Sequence, residues 1–163
     1  MTTQSTRTTR KAVRFDSLEQ EVFLSLWRTY DRLRMLEDEL FARFDLTPQQ
    51  YNALRLLKAE HPAAIPTLTL ANRLVSRAPD ITRLLDKLEQ RGLIERERLA
   101  DNRRVVQVRL TESGMALLDE LSEPLKDCHA RQLGHLSSVQ LKQLCELLRQ
   151  ARAPMEDPDG HWR

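Results

Sequence analysis

The chain has few of the residues that build disulfide scaffolds, tight turns or membrane spans. Its 163 residues include two cysteines, four glycines and 5% aromatic residues. Cys128 and Cys145 lie far apart without a Cys-x-x-Cys spacing, so neither a zinc site nor a disulfide framework is supported. No apolar run approaches membrane-spanning length, and the basic N-terminus lacks the apolar segment of a secretory signal. These absences predict a helix-rich, cytoplasmic protein.

The sequence also lacks the residue patterns of the common catalytic sites. Its four histidines show no metal-ligand spacing, and neither a Gly-rich phosphate loop nor a nucleophile elbow occurs. Asp80, Asp86 and Glu89 fall on one predicted helix, where solvation or ion pairing accounts for them better than acid–base catalysis. We therefore predict no enzyme activity, no metal and no cofactor.

The net charge of +2 is unevenly distributed along the chain. The length, with 40% hydrophobic and 31% charged residues, fits one soluble domain with a sizeable core. Residues 71–111 hold ten Lys or Arg and six Asp or Glu, a local charge of +4, which leaves −2 for the remainder. The positive charge is concentrated in one stretch.

A helix within this stretch is well specified by its ends. Ser76 can cap it, Pro79 falls in the first turn and Gly92 follows the last periodic residue, which predicts a helix over Arg77–Arg91. Its apolar residues are spaced i, i+3, i+4, i+7 and predict one buried face, comprising Ile81, Leu84, Leu85 and Leu88. A charged opposite face is by itself more often a solvated surface than a binding site.

A basic-tipped hairpin follows the helix and changes this interpretation. Leu93–Arg98 and Val105–Leu110 are typical of strands, and the connection between them combines turn-forming Asp and Asn with two arginines. A short helix over residues 70–74, the helix over 77–91 and this hairpin together indicate a winged helix-turn-helix. The hairpin is called the wing below.

The order of residues from Leu70 to Gly114 resembles the MarR family of bacterial transcriptional regulators. The match comprises Thr82–Glu89, Arg91–Ile94, Arg96, Asp101–Val106, Val108–Thr111 and Gly114. The resemblance implies a mainly α (α+β) fold, in which long N- and C-terminal helices form a dimerisation region around a winged helix-turn-helix. It further implies a homodimeric regulator, usually a repressor, that binds a pseudo-palindromic operator in double-stranded DNA and is released by a small molecule or another signal.

Side chains on the second helix and the wing are the candidate DNA contacts. Arg83 is expected to contact base edges, while a wing arginine is suited to a narrow A·T-rich minor groove. Family members often have an Asp-Arg-Arg wing tip that ends seven residues before the Thr, and counting back from Thr111 puts Asn102 at the position of that Asp, with Asp101 one residue earlier. Either the wing is one residue longer or the acid has shifted, so either Arg103 or Arg104 is the arginine that enters the groove. The full predicted set is Ser76, Arg77, Thr82, Arg83, Lys87, Asp101, Arg103 and Arg104. The alternative is a winged helix used as a protein-interaction module, which would show no salt-dependent DNA binding.

The remaining sequence divides into flanking segments. We predict a flexible basic arm over residues 1–15, a dimerisation helix over 16–45, the DNA-binding domain over 46–111, C-terminal dimerisation helices over 112–153 and a loose tail over 154–163. Helix starts are predicted by the capping boxes Ser17/Gln20, Thr47/Gln50 and Ser137/Gln140 and by Thr111 as a cap. A short strand is expected within the connector 63–68.

Aromatic residues near a cation are the candidate effector contacts. Family members often take small aromatic acids between the long helices and the winged domain, and Trp27, Tyr30, Arg34 and Tyr51 would provide an aromatic wall with a cation. The competing interpretation is that these aromatic residues are core residues at helical spacing. Cys128 and Cys145, both on apolar helical stripes, are predicted to be buried structural thiols.

Overall fold

The computed structural model describes residues 15–76, 80–98, 102 and 104–156. The helices in these segments are α1 (Leu18–Ala42), α2 (Pro48–Glu60), α3 (Thr67–Arg73), α4 (Ile81–Gln90), α5 (Glu112–Leu133) and α6 (Ser138–Arg152), with a 3-10 turn over Ala153–Met155. The strands are β1 (Ile65–Pro66), β2 (Ile94–Arg98) and β3 (Val106–Leu110). This mainly helical fold with a small sheet confirms the predicted winged-helix class.

The chain divides into two units, one up to Arg34 and one from Met35. In the first unit, α1 exposes every residue from Leu18 to Arg34 except Leu33. The second unit has its own hydrophobic core, because apolar residues of α2, α3, α4, β3 and α5 are fully buried there. Residues with 0% exposed surface in this core are Ala53, Leu54, Leu57, Leu70, Leu88, Val108 and Leu121.

Three of the predicted helix caps are present in the second unit. Thr47 Oγ1 accepts from the Gln50 N–H at 3.2 Å while Gln50 Oε1 accepts from the Thr47 N–H at 2.8 Å. The pair Ser137 and Gln140 forms the same reciprocal contacts at the start of α6. Thr111 Oγ1 accepts from Gly114 N–H at 3.1 Å and begins α5. Each cap satisfies backbone donors that a helix leaves unpaired.

The three strands form an antiparallel sheet in the order β1–β3–β2. The wing strands pair from Ile94 opposite Leu110 to Arg98 opposite Val106, so each predicted strand is present and one residue shorter at its start. The short strand expected within 63–68 is β1, which pairs with β3. The wing strands β2 and β3 thus lie between α4 and α5 in the chain and are joined through β1 to the segment before α3.

The predicted burial of the two cysteines is right for one and wrong for the other. Cys128 is buried on α5, and its burial raises the pKa of its thiol. Cys145 is exposed, because no residue of α6 is buried in the chain as described. The sequence predicted the helix that carries this apolar stripe, but the prediction that Cys145 is buried in the core of the chain is wrong.

Two structural features are absent from the described segments. No helix there has the length and apolar character needed to cross a bilayer. No cluster of three or more His, Cys, Asp or Glu residues there is placed to hold a metal ion.

Candidate nucleic-acid interface

Helix α4, the candidate DNA-contacting helix, begins later than the sequence predicted. Asp80 is its cap, because Asp80 Oδ1 accepts from the Arg83 N–H at 2.9 Å. An aspartate is also favoured at a helix N-terminus by the positive end of the helix dipole. The predicted start at Arg77, with Ser76 as the cap, is wrong: Ser76 lies exposed in a bend, and Arg77 lies outside the described residues.

The C-terminal end of α4 confirms the prediction for Gly92. The φ of Gly92 is 68°, in the left-handed region that closes a helix, and the Leu93 N–H donates to Leu88 O at 3.0 Å. Thr111 Oγ1 also donates to Gly92 O at 2.6 Å. The end of α4, the first wing strand and the start of α5 are therefore joined at one point.

One face of α4 is buried and the opposite face carries exposed cations. Leu84, Leu85 and Leu88 are buried, as predicted. Thr82, Arg83, Asp86, Lys87 and Gln90 are exposed, and neither Arg83 nor Lys87 forms an ion pair with a described residue. Arg83 and Lys87 lie four residues apart, so they share one side of the helix. This side can donate to bases or phosphates.

Arg96 on β2 pairs with Asp86 and Glu89, two carboxylates that lie three residues apart on α4. Its Nη2 donates to Asp86 Oδ1 at 2.6 Å, its Nε donates to Glu89 Oε2 at 2.9 Å, and Nη2 also contacts Glu89 closely. The hydrogen bond from Arg96 lowers the pKa of Glu89, against a smaller opposing effect of burial. The pairing ties the wing to α4 and partly neutralises acidic groups that would repel a phosphate backbone.

The wing tip closes on Asn102. Its carbonyl accepts from the Val105 N–H at 2.9 Å, and its Oδ1 accepts from the Arg104 N–H at 3.2 Å. Arg104 is exposed at this turn. Asp101 and Arg103 lie outside the described residues, so both arginines stay candidates for the minor groove.

Two contacts that hold the helix-turn-helix against other elements were missed by sequence reasoning. At the end of α4, Arg91 donates to the carbonyl of Phe44 at 3.1 Å and to that of Asp45. At the turn after α3, Asn52 Oδ1 accepts from the Val75 N–H at 3.1 Å. The partners in these hydrogen bonds lie 23 or more residues apart, so the periodicity of the sequence does not indicate them. The one available signal was the position of Arg91 directly after the last residue of α4.

A small groove opens between α2 and α5 in the second unit. Its volume is about 160 Å³, and its lining residues are Tyr51, Arg55, Lys58, Leu118, Leu121, Ser122 and Leu125. Lys58 pairs with Asp119 at 2.6 Å, whereas Arg55 forms no ion pair with a described residue. Tyr51 stacks on Phe41 with a ring-centre separation of 4.9 Å, and burial raises its pKa. The groove thus combines an aromatic wall with two cations.

The other three predicted effector residues belong to the N-terminal unit. Trp27 and Tyr30 are exposed by 61% and 62%. Trp27 packs edge-to-face on Phe23 with ring centres 6.2 Å apart. Arg34 is exposed at the end of this unit. The alternative of buried core residues therefore does not hold for Trp27 and Tyr30 within this chain.

Comparison with known proteins points to one family. The sequence profile of the MarR family matches residues 46–106. A MarR transcription factor from Planctomyces limnophilus is 53% identical, with 84% of this chain and 99% of that chain covered and a TM-score of 0.67. The fold is shared with a mutant MarR from E. coli complexed with operator DNA, at 24% identity, coverage of 83% and 99%, and a TM-score of 0.72. It is also shared with Bordetella bronchiseptica BpsR, whose DNA binding 6-hydroxynicotinic acid regulates, at 21% identity, coverage of 85% and 97%, and a TM-score of 0.74.

The similarity extends over the winged helix and both flanking regions. The 53% identical relative is covered almost completely, and the matched profile includes α2, α3, α4 and the start of β3. The geometry agrees, since a capped helix with exposed cations is followed by a paired wing. The chain therefore belongs to the MarR family of winged-helix, DNA-binding transcription regulators.

Proposed function

We propose that this chain is a repressor that binds a pseudo-palindromic operator as a homodimer and is released by a small aromatic acid or another signal. The observation that carries the proposal is the α4 surface, where Arg83 and Lys87 are exposed while Asp86 is paired with Arg96. In this arrangement α4 enters the major groove and the wing follows the adjacent minor groove.

The DNA contacts divide by position on the two elements. Arg83 lies in the first turn of α4, the part of a recognition helix that meets base edges, so it is assigned a direct base contact. Thr82 and Lys87 are assigned to phosphates or bases beside it. Ser76 and Arg77, which precede α4 in the sequence, are assigned the same role. Arg103 or Arg104 is assigned to the minor groove, with Asp101 orienting one of them.

The salt dependence of DNA binding tests this assignment. Each phosphate neutralised by a cation contributes a slope of about −0.9 to a plot of log affinity against log salt concentration. We expect a steep slope on a duplex that the protein selects from a randomised library. DNA binding without salt dependence, or no selection of any duplex, would refute the proposal and favour a protein-interaction module.

Exposed apolar residues support the homodimer. In the N-terminal unit, α1 exposes Leu18, Val22, Phe23, Leu26 and Trp27, with exposed fractions between 39% and 71%. In the second unit, α6 exposes Val139 and Leu147 by 62% and 63%. Apolar surface of this extent is unusual on a monomer and is typical of an interface. A dimer doubles the chain mass of 19.0 kDa, and light scattering that finds the monomer alone at micromolar concentration would refute it.

The groove between α2 and α5 is the proposed effector site. Tyr51 would stack against an aromatic ring, and Arg55 and Lys58 would pair with its carboxylate. The regulation of the related BpsR by 6-hydroxynicotinic acid supports this ligand class. Trp27, Tyr30 and Arg34 stay candidates for further contacts with the effector.

A thermal-shift titration tests the groove directly. We expect 6-hydroxynicotinate or benzoate to raise the melting temperature of the wild-type protein and of Arg43→Gln, an exposed control, because a ligand that binds the native state stabilises it. Arg55→Gln should abolish most of the shift. An equal shift in Arg55→Gln would remove this groove from the effector role.

A further inference from the structure

One side chain of α2 holds the turn that leads to the DNA-facing helix. Asn52 Oδ1 accepts from the backbone N–H of Val75 at 3.1 Å. Val75 follows Leu74, the C-cap residue of α3, and its side chain is 63% exposed. The turn leading to α4 is therefore tied at its first residues to an element outside the helix-turn-helix.

The acceptor on α2 is held rigidly. Ala53, Leu54 and Leu57 of the same helix have no exposed surface, so α2 is fixed in the core on the side next to Asn52. Glu60 at the end of α2 pairs with Arg73 at the end of α3 at 2.6 Å. Asn52 thus presents its oxygen to the turn from a preorganised position.

The N-terminal half of α4 depends on this turn more than the C-terminal half does. The buried anchors Leu84, Leu85 and Leu88 begin at the fourth residue of the helix, and Arg91 fixes its other end to the carbonyls after α1. In the first turn, Ile81 is the apolar anchor and is half-buried. The first turn, which carries Arg83, is therefore the part of α4 that the core fixes least.

We propose that Asn52 is a positioning residue for DNA recognition, which sets the first turn of α4 through Val75 rather than through contact with DNA. The inference rests on the operator binding proposed above. The chemistry requires only a hydrogen-bond acceptor at this position. Aspartate should therefore replace asparagine, whereas leucine, which is similar in volume, should not.

The test compares three variants on two duplexes. The variants are Asn52→Leu, Asn52→Asp and the matched control Gln49→Leu, which removes an exposed amide from the same helix. The duplexes are one selected by the wild-type protein from a randomised library and a scrambled version of it. The measured quantity is the ratio of the two affinities, because the charge that Asp adds acts on both duplexes alike.

We expect Asn52→Leu to lower this ratio about 3- to 10-fold, the range expected for one hydrogen bond. The Asn52→Asp and Gln49→Leu variants should keep the wild-type ratio within about twofold, since the acceptor is retained in both. Hydrogen exchange in the free protein gives a readout independent of DNA: the Val75 amide should exchange faster in Asn52→Leu alone.

Each outcome separates the two proposals. An unchanged ratio in Asn52→Leu, or equal losses on both duplexes, would overturn the positioning role even if the Val75 amide exchanged faster. A wild-type protein that selects no duplex would refute the operator proposal itself. Slow exchange of Val75 in Asn52→Leu would show that the hydrogen bond does not hold the turn.

Discussion

Replacing Arg96 by methionine should separate the stability of the wing from the charge of the proposed DNA-contacting surface. Methionine keeps much of the apolar stem but removes the guanidinium that bridges Asp86 and Glu89. The variant loses the link between β2 and α4, and it also leaves the carboxylates of Asp86 and Glu89 on α4 without their Arg96 partner. The two losses can be measured apart.

The cost in stability follows from the exposure of the three groups. The side chain of Arg96 is 22% exposed, while those of Asp86 and Glu89 are 56% and 38% exposed. The pair with Asp86 is therefore close to a surface ion pair, worth about 0.2–1 kcal/mol. The pair with Glu89 adds about 1 kcal/mol after the same screening. A total loss of about 1–2 kcal/mol lowers the melting temperature by about 3–6 °C in a domain of this size.

Thermal unfolding followed by circular dichroism, at fixed protein concentration, measures this loss. The pKa of Glu89 is lowered in the folded protein, so its contribution to the free energy of unfolding is present above its ordinary value of 4.5 and is lost as pH falls through the lower folded value. The raised pKa of Arg96 keeps its contribution constant until strongly alkaline pH. The difference between wild type and Arg96→Met should hold at neutral pH and shrink below pH 4.5.

DNA binding supplies the second measurement. An Asp86 without its Arg96 partner repels a nearby phosphate by about 1 kcal/mol, so Arg96→Met should bind all duplexes less tightly. Adding Asp86→Asn should restore much of the affinity while leaving the melting temperature low. Restoration of both properties together, or of neither, would refute the division between wing attachment and surface charge.

The remaining predictions concern the interface and the core. Arg83→Ala should cost about 1–3 kcal/mol of binding free energy on the selected duplex and little on scrambled DNA, and equal losses on both duplexes would show that Arg83 does not contact bases. Arg104→Ala should weaken binding to both duplexes and reduce the salt slope. Gly114→Ala should destabilise the protein by about 1–3 kcal/mol, because its Cβ would lie 2.2 Å from Leu93 O. Chemical denaturation measures the latter, and an unchanged midpoint would show that α5 can shift.

Local signals predicted the helices and the wing well. The caps at Thr47, Thr111 and Ser137 lie within three residues of the donors that they satisfy, so the sequence contains the whole interaction. The same local logic failed at α4, where Ser76 and Asp80 are both suitable caps four residues apart. The first apolar residue of the buried face, Ile81, directly follows Asp80, and this position of Asp80 indicates the observed helix start better than Ser76 does.

Interactions between distant segments could not be predicted. Asn52 and Arg91 bind backbone groups 23 and 46 residues away, and a backbone group has no sequence signature. The periodic stripe of Cys145 indicated an apolar face without indicating whether the same chain or a second copy covers it. At the candidate site, the exposure of Arg83, Lys87 and Arg104 followed from helical periodicity and turn chemistry, whereas the pairing of Arg96 with Asp86 and Glu89 required the fold.

Because the wing strands are paired along their whole length, the connection between them can change in length without altering the rest of the fold. Five consecutive pairs, from Ile94 opposite Leu110 to Arg98 opposite Val106, fix the register at the base of the wing. Because the connecting residues 99–105 lie beyond the last pair, an insertion or deletion there leaves the base unchanged. Each added residue extends the reach of a strand by about 3.3 Å. Wing length can therefore adapt to grooves of different width without altering the core, and the shifted aspartate at position 101 is consistent with such an adjustment.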